Sequence, residues 1–182
     1  EIRTAMAEER DTRLKKRQKV VQIGIGINSG PVVFGSVGAK ERMDFTSIGD
    51  TVNLAARLEG ANKSYNTKTL ITEVVYAKVK KLFVCREIDL LTVKGKVKPV
   101  RIFEILQEKE KTTKHILTLK KQFESGIEFY RERKWKSAMD IFLKLKDDYK
   151  DGVSEVFAER IRLFQRNPPP RNWDGVFKLT VK

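Results

Sequence analysis

The segment VVQIGIGIN, residues 20–28, constrains the fold more than any other part of the sequence. Its β-branched residues favour an extended strand, and Gly24 and Gly26, two positions apart, lie on the same face of that strand. Because a face without side chains allows close contact, another backbone or a ligand can approach the strand there. The sequence therefore predicts a strand covered at short distance by a second element or by a bound molecule.

The surrounding segments predict a mixed α+β fold. Residues 1–19, rich in Glu, Arg and Lys, predict a helix. The segments PVVFGSV and MDFTSI predict a β-hairpin around a charged turn at 39–42. A helix, the strand TLITE, the helix EVVYAKVKKL and a hairpin of FVCREIDLLTVKG with KPVRIFEIL follow. This order predicts an α+β sandwich in which helices pack on one sheet.

The stretch IGDTVNLAARLEG, residues 48–60, predicts one of those helices. Asp50 or Thr51 is placed to cap its first turn, and Gly60 is placed to end it. Apolar residues recur at helical spacing along the stretch, which predicts that one side of the helix packs on the sheet.

Two polar residues of this helix, Asn53 and Arg57, are four positions apart and therefore lie on one side of it. On an exposed face, Arg57 would form an ion pair with Glu59, Glu73 or another neighbour. In a binding site, Asn53 would hydrogen-bond a hydroxyl or ribose oxygen and Arg57 would place positive charge near a phosphate. Asparagine is a poor helix former, so its position needs a reason, but these residues alone leave both interpretations open.

Two glycine-rich segments do not fit the common nucleotide-binding motifs. In GIGINSG the third glycine, Gly30, falls one residue too late for the dinucleotide-binding pattern. In GPVVFGS, Ser36 stands where a P-loop has its phosphate-binding lysine. Neither motif is predicted.

A formal net charge of +14 raises the question of anionic partners. The basic residues are scattered and mixed with acids, without the dense basic block and interleaved aromatics of a nucleic-acid site, so we expect no nucleic-acid partner. One cysteine, Cys85, excludes an internal disulfide, and one histidine, His115, leaves too few ligands for structural zinc. The single cysteine and the lack of an apolar leader predict a cytoplasmic location, with any upstream membrane anchor left open.

The chain is expected to have four parts. Residues 1–107 form the α+β domain, and residues 108–114 form a charged junction. Residues 115–166 resemble a tetratricopeptide-type helical hairpin, which cannot bury its own apolar face and should contact the first domain or a protein partner. Residues 167–182, a tail that begins with a proline run, are expected to pack on the body.

The stretch GIGINSGPVVFGSVGAKERMDFTSIGDTVNLAARLEG resembles the second half of a class III nucleotidyl cyclase catalytic domain. The glycine-spaced strand, the FTxIGDxVNxAARLE segment and a downstream VKGK match that family in order. The resemblance spans residues 1–107. It implies the second half of a ferredoxin-like cyclase sheet with its helices, here followed by an α-helical C-terminal extension.

The resemblance also implies roles for five residues. Asn53 would orient the ribose, and Arg57 would stabilise negative charge on the phosphoryl group during ring closure. Thr46 matches the position that reads the purine, and a threonine there resembles the bacterial adenylate cyclases, while Ser47 would offer backbone contacts to the base. Lys94, the first lysine of VKGK, would bind the terminal phosphates.

The family uses two divalent ions, Mg²⁺ or Mn²⁺, and builds each active site at a dimer interface. The metal-binding aspartates belong to the first half of the domain, and that half has no counterpart after Glu1, so no metal ligand is expected in this chain. The resemblance therefore implies an adenylate cyclase that converts ATP to 3′,5′-cyclic AMP and pyrophosphate as a homodimer. The 182-residue chain alone is expected to be inactive.

Two other functions are compatible with the sequence. The first is a non-catalytic nucleotide-sensing or regulatory module that keeps the cyclase fold. The second is a basic module for nucleic-acid or protein interaction built on the C-terminal helices. The joint presence of Thr46, Asn53, Arg57 and Lys94 favours the cyclase, because a degenerate module has no need to keep all four.

Overall fold

The computed structural model describes residues 2–20, 23–39, 42–92 and 99–176. Its strands are β1 (Ile25–Ile27), β2 (Val33–Ala39), β3 (Arg42–Ile48), β4 (Thr69–Thr72), β5 (Phe83–Leu91) and β6 (Val100–Glu108). Its α-helices are α1 (Ile2–Lys15), α2 (Asp50–Tyr65), α3 (Glu73–Val79), α4 (Lys114–Arg131), α5 (Trp135–Tyr149) and α6 (Gly152–Arg166). A short 3₁₀ turn at Lys109–Lys111 separates β6 from α4.

Four strands form one sheet in the order β1-β4-β6-β5. β1 runs parallel to β4, whereas β6 is antiparallel to both β4 and β5. Strands β2 and β3 form a separate antiparallel hairpin, paired from Val33 with Ile48 to Ala39 with Arg42. The hairpin and α2 together connect the parallel pair β1 and β4. This arrangement confirms the predicted α+β fold.

Helix α2 lies directly on the glycine-bearing face that the sequence predicts. A Cβ atom on Gly26 would be 2.2 Å from the carbonyl oxygen of Ala55 and 2.3 Å from the nitrogen of Glu59. A Cβ atom on Gly24 would be 2.8 Å from the carbonyl oxygen of Glu59. The element that approaches the bare strand is therefore a helix backbone and not a ligand.

Three local predictions need correction. The strand expected over residues 20–28 is limited to Ile25–Ile27 in the described residues. The residue before α2 is Gly49, and no side chain caps the helix, so neither Asp50 nor Thr51 is its N-cap. Gly60 does not end α2, because packing on the sheet carries the helix on to Tyr65, and Asn66 ends it in the left-handed conformation.

The C-terminal helices share one apolar core with the sheet. This core joins residues of α2 and the strands to residues of the extension, and its fully buried members include Leu58, Tyr65, Ile88, Ile102, Phe123, Phe142, Phe157 and Ile161. The segment predicted as a helical hairpin contains three helices, since α6 follows α4 and α5. Helix α6 also contacts α2, so the extension is packed on the helix that carries Asn53 and Arg57.

A buried ion cluster also joins the extension to the sheet. Arg86 of β5 donates hydrogen bonds to Glu104 of β6 and to both carboxylate oxygens of Asp151, which caps α6. The Arg86 guanidinium also lies 4.4 Å from the ring centroid of Phe123 in α4. Breaking such a pair by removing one partner is strongly destabilising, because the other charge stays buried.

The first residues of the tail pack on the extension. The ring centroid of Trp173 lies 5.3 Å from that of Tyr130 and 5.2 Å from that of Phe164. Residues 177–182, which include the strand-like end of the tail, lie outside the described residues. None of the helices in the described residues combines the length and the apolar character that a membrane span requires.

Candidate functional site

The first turn of α2 is fixed by polar contacts to the segment that follows β1. The Thr51 hydroxyl donates a 2.7 Å hydrogen bond to the carbonyl oxygen of Pro31. The Asn28 amide donates to the carbonyl oxygen of Thr51 at 3.0 Å and accepts a 2.9 Å bond from the Thr72 hydroxyl of β4. Asn28 therefore connects α2 to the central strands.

The last turns of α2 are fixed by a second asparagine, the buried Asn62. Its amide nitrogen donates to the carbonyl oxygen of Ile25 in β1 at 3.1 Å and to that of Leu58 at 2.9 Å. Its amide oxygen accepts a 2.9 Å hydrogen bond from the Thr67 hydroxyl. A buried amide with all these partners satisfied holds the helix in one position on the strand.

Asn53 and Arg57 lie on α2 between these two anchors. Leu54 and Leu58 face the core, whereas Asn53 is exposed and Arg57 is half-buried beside them. Among the described residues neither side chain has a hydrogen bond, and Arg57 has no ion pair. The predicted ion pair of Arg57 with a neighbouring acid is therefore not formed within the described part of the chain. The arrangement leaves an amide and a guanidinium available to a ligand.

Thr46 and Ser47 lie on β3, just before the turn at Gly49 that leads into α2. Thr46 is exposed and is paired with Gly35 of β2, where an added Cβ atom would meet nothing within 4 Å. Successive side chains of a strand point to opposite faces, so the side chains of Thr46 and Ser47 diverge. Only one of these two side chains can face a given side of the hairpin, and the roles of both residues stay predictions.

Lys94, the predicted phosphate ligand, falls in residues 93–98 and lies outside the described residues. The structure thus brings four of the five predicted site residues onto one continuous unit, β3 followed by α2. Among the residues that the structure describes, no group of three His, Cys, Asp or Glu side chains is placed to hold a metal ion.

Residues 1–118 match the family described as "Adenylate and Guanylate cyclase catalytic domain". The chain belongs to this family. The match covers the whole α+β part and the start of α4, so the cyclase domain accounts for the sheet, for α2 and for the hairpin.

Named relatives agree with the family. The chain is 35% identical over 127 residues to the terminal-differentiation-specific adenylate cyclase of Dictyostelium discoideum, covering 67% of this chain and 6% of that protein. It is 44% identical over 81 residues to adenylate cyclase 1 of Rhizobium meliloti, covering 44% of this chain and 12% of that protein. The chain therefore spans a small part of the length of these relatives.

A solved structure shows the same fold. The crystal structure of the adenylyl cyclase CyaB from P. aeruginosa superposes with a TM-score of 0.52 at 32% sequence identity. The superposition covers 61% of this chain and 56% of that chain. Because these helices and strands match a cyclase structure, the ferredoxin-like class III assignment is confirmed.

The β2–β3 hairpin of this cyclase domain exposes several large apolar side chains. Large hydrophobic side chains are exposed on both of its faces, namely those of Val33, Phe34, Val37, Met43, Phe45 and Ile48. The rings of Phe34 and Phe45 contact each other, with centroids 5.5 Å apart, and Phe45 is 73% exposed. The two rings form a small exposed apolar cluster, of the kind that interaction surfaces contain.

A surface cleft of about 650 Å³ lies between α4 and α5, away from the predicted site residues. Its lining is mixed, with apolar, small polar and lysine side chains: Leu117, Thr118, Lys121, Gln122, Ser125, Ile141 and Lys144. The cleft belongs to the extension. A protein partner for this extension stays a prediction.

The asparagines Asn28 and Asn62 were not predicted as site residues, although they position α2. Asn62 follows the apolar Leu58 and Ala61 at helical spacing, so it falls on the buried side of the helix. The one sequence signal that could have identified Asn62 is an amide at a buried helix position, because such a group must find hydrogen-bond partners. Its partner, the carbonyl oxygen of Ile25, is 37 residues away in sequence.

Proposed function

We propose that this chain supplies one side of an adenylate cyclase active site, which converts ATP to 3′,5′-cyclic AMP and pyrophosphate. The observation that carries the proposal is that α2 is fixed in place while two of its polar side chains remain available. The helix is anchored at both ends, yet Asn53 and Arg57 between the anchors have no partner among the described residues. Cyclase family membership supplies the reaction class.

The chemistry suits these side chains. In ring closure the ribose 3′-oxygen forms a bond to the α-phosphorus, the bond from that phosphorus to the oxygen shared with the β-phosphate breaks so that pyrophosphate leaves, and the proton of the 3′-hydroxyl passes to water. Such a reaction depends on positioning the ribose and on stabilising charge at the phosphorus. Asn53 would hold the ribose, and the Arg57 guanidinium would stabilise the developing negative charge.

Substrate choice is assigned to Thr46. Its short side chain is exposed beside the open space at Gly35, at the end of the strand that leads into α2. A hydroxyl can donate to or accept from a purine edge, and the resemblance of this threonine to bacterial adenylate cyclases supports ATP over GTP. We place the reaction in the cytoplasm, in agreement with the single free cysteine.

The described residues do not fit a divalent ion, since no suitable cluster of ligands is present among them. The Mg²⁺ or Mn²⁺ ions used by the family would be held by residues other than those described. The roles assigned to this chain are therefore confined to Asn53, Arg57 and Thr46. We propose that the 182-residue chain is inactive without a partner that supplies the metal ligands.

The partner is proposed to be a second cyclase subunit, a homodimer in the intact enzyme. The exposed apolar hairpin supports this proposal, because it directly precedes α2 and presents Phe34 and Phe45 to solvent. A subunit that covers the hairpin would be brought next to the side of α2 where Asn53 and Arg57 are available.

Complementation tests the proposal. The chain is mixed with a class III catalytic domain that keeps its metal-binding aspartates but has alanine in place of its own asparagine and arginine. We expect cyclic AMP from ATP and Mn²⁺ only in the mixture, and no activity when Arg57→Ala replaces the wild-type chain. Failure of the two chains to co-elute, or co-elution without cyclic AMP, would contradict the proposal.

The second candidate is a regulatory module that binds nucleotide without turnover. The same mixture distinguishes it, because ATP would then bind and protect α2 from hydrogen exchange while no cyclic AMP forms. That outcome would replace the catalytic assignment with nucleotide sensing.

A further inference from the structure

Three buried polar side chains connect α2, the sheet and the last helix. The hydroxyl of Tyr65, the final residue of α2, donates a 2.7 Å hydrogen bond to Oδ2 of Asp89 in β5. The Arg160 guanidinium of α6 donates to the same oxygen at 2.5 Å. All three residues are at most 5% exposed. We call this set the Tyr65 clasp.

Ring contacts strengthen the clasp. The guanidinium carbon of Arg160 lies 4.7 Å from the ring centroid of Tyr65 and 4.9 Å from that of Phe157. Burial, assisted by the nearby Asp89 carboxylate, raises the pKa of Tyr65 above its ordinary value, so the phenol keeps the proton that it donates. The contact between α6 and α2 is thus both charged and aromatic.

The start of α6 also contacts the end of α2. A Cβ atom on Gly152 would lie 2.1 Å from the side-chain amide nitrogen of Asn66, the residue that terminates α2. The extension therefore holds α2 at its C-terminal end, whereas Asn28 and Thr51 hold it at its N-terminal end.

The position of this end affects the candidate site through the rigid helix. Arg57 is eight residues before Tyr65, or about 12 Å along the axis at about 1.5 Å per residue. A change in tilt at Tyr65 moves the Arg57 side chain relative to a phosphate. A misplacement of about 1 Å can reduce turnover by about 100-fold.

We propose that Arg160 is a positioning residue for the nucleotide site, and that the extension orients α2 through the Tyr65 clasp. The inference rests on the proposed function of Asn53 and Arg57. It assigns to α4–α6 a role in the cyclase reaction, exerted through Asp89 and Tyr65 rather than by contact with nucleotide.

A purely structural role predicts a different pattern, and a more exposed ion pair between the extension and β5 offers a control. Arg131 of α4 donates a 2.5 Å hydrogen bond to Glu87, so it too joins the extension to an acid of β5. Neither Arg131 nor Glu87 is in the clasp. If the clasp only stabilises the domain, Arg160→Met and Arg131→Met should both speed hydrogen exchange throughout the domain. They should then differ only in how much they speed it.

Hydrogen exchange of the 182-residue chain tests the clasp without nucleotide. Tyr65→Phe keeps the ring and removes only the hydroxyl bond to Asp89, so it is the decisive variant. We expect it and Arg160→Met to speed exchange of the α2 amides from Asn53 to Leu58 by about tenfold relative to those of α5. Arg131→Met should not speed exchange of the α2 amides relative to those of α5. Unchanged α2 exchange in Tyr65→Phe, or equal acceleration by Arg131→Met, would overturn the inference.

Turnover in the complementation mixture tests the link to the site. Tyr65→Phe should lower kcat by about tenfold with little change in KM for ATP. Arg160→Lys should restore part of the kcat that is lost in Arg160→Met. The kcat of Arg131→Met should match that of wild type. An inactive wild-type mixture would reject the proposed function. Hydrogen exchange would still show whether the Tyr65 clasp orients α2. An active mixture in which Tyr65→Phe loosens α2 but keeps its kcat would reject the positioning role.

Discussion

Gly26 of β1 and Ala55 of α2 approach so closely that a Cβ atom on Gly26 would lie 2.2 Å from the Ala55 carbonyl oxygen. A Cβ atom and a carbonyl oxygen do not approach each other that closely in proteins. A side chain at Gly26 must therefore push α2 off the sheet. The helix carries Asn53 and Arg57, and its distance from the strand sets where these groups lie. The glycine spacing of the strand is therefore a condition for the proposed site.

Gly26→Ala should lower the free energy of unfolding by about 3 kcal/mol, because the crowded atoms are backbone and cannot rotate away. Denaturant unfolding followed by circular dichroism measures the change. Gly35→Ala is the control, since its Cβ would meet nothing within 4 Å, and it should stay within about 0.5 kcal/mol of wild type. Equal effects of the two variants would contradict the packing described for α2.

Asn62→Ala should lower the free energy of unfolding by about 2 kcal/mol, since it leaves the Ile25 carbonyl and the Thr67 hydroxyl without their partner. The same unfolding experiment measures it. Asn53→Ala on the same helix removes an exposed amide that has no hydrogen bond within the described part of the chain, and it should be nearly neutral. A stability loss in Asn53→Ala similar to that in Asn62→Ala would argue for a structural Asn53.

Arg57→Ala should reduce cyclic AMP formation in the complementation mixture by about 100-fold, the usual effect of removing one transition-state donor. Its folding stability should change by no more than about 0.5 kcal/mol, because no partner among the described residues is lost. Lys63→Ala, an exposed cation on the same helix, is the charge control and should keep wild-type turnover. Loss of the folded signal in Arg57→Ala would support a structural role instead.

Phe45→Ser should weaken association with a cyclase subunit by about tenfold, since an exposed aromatic on an apolar surface is a typical interface anchor. Sedimentation velocity over a concentration series measures the dissociation constant. Leu82→Ser is the control, because Leu82 is 65% exposed but lies between α3 and β5, away from the hairpin. If Leu82→Ser has the same effect, association does not depend on the hairpin.

Cys85 should react slowly with a maleimide in the native chain and rapidly in the unfolded chain. The thiol is 3% exposed, and burial raises its pKa from 9.0 to about 11, so little thiolate forms near neutral pH. Because the native thiol holds its proton more tightly than the unfolded one, stability falls as the pH rises from 9 towards 11. Mass spectrometry of labelled protein over time provides the measurement. Native labelling as fast as in denaturant would contradict a buried Cys85.

Much of the α+β part could be predicted because its signals are local. The hairpin of β2 and β3 follows from glycine and charged residues at its turn, and α2 follows from apolar residues at helical spacing. Prediction of the α2 end at Gly60 was wrong, since packing against β1 outweighs the weak helix propensity of glycine. Contacts with the sheet decide such boundaries.

The sequence by itself determined the bare face of β1, the hairpin and the side-by-side placement of Asn53 and Arg57, because each depends on spacing within one element. Only the tertiary structure decided what covers that face and what holds α2 in place. The hydrogen bond from Asn62 to Ile25 and the clasp of Tyr65, Asp89 and Arg160 join residues from 24 to 71 positions apart. No local pattern encodes such pairs, since they form only when the sheet and the C-terminal helices pack into one core.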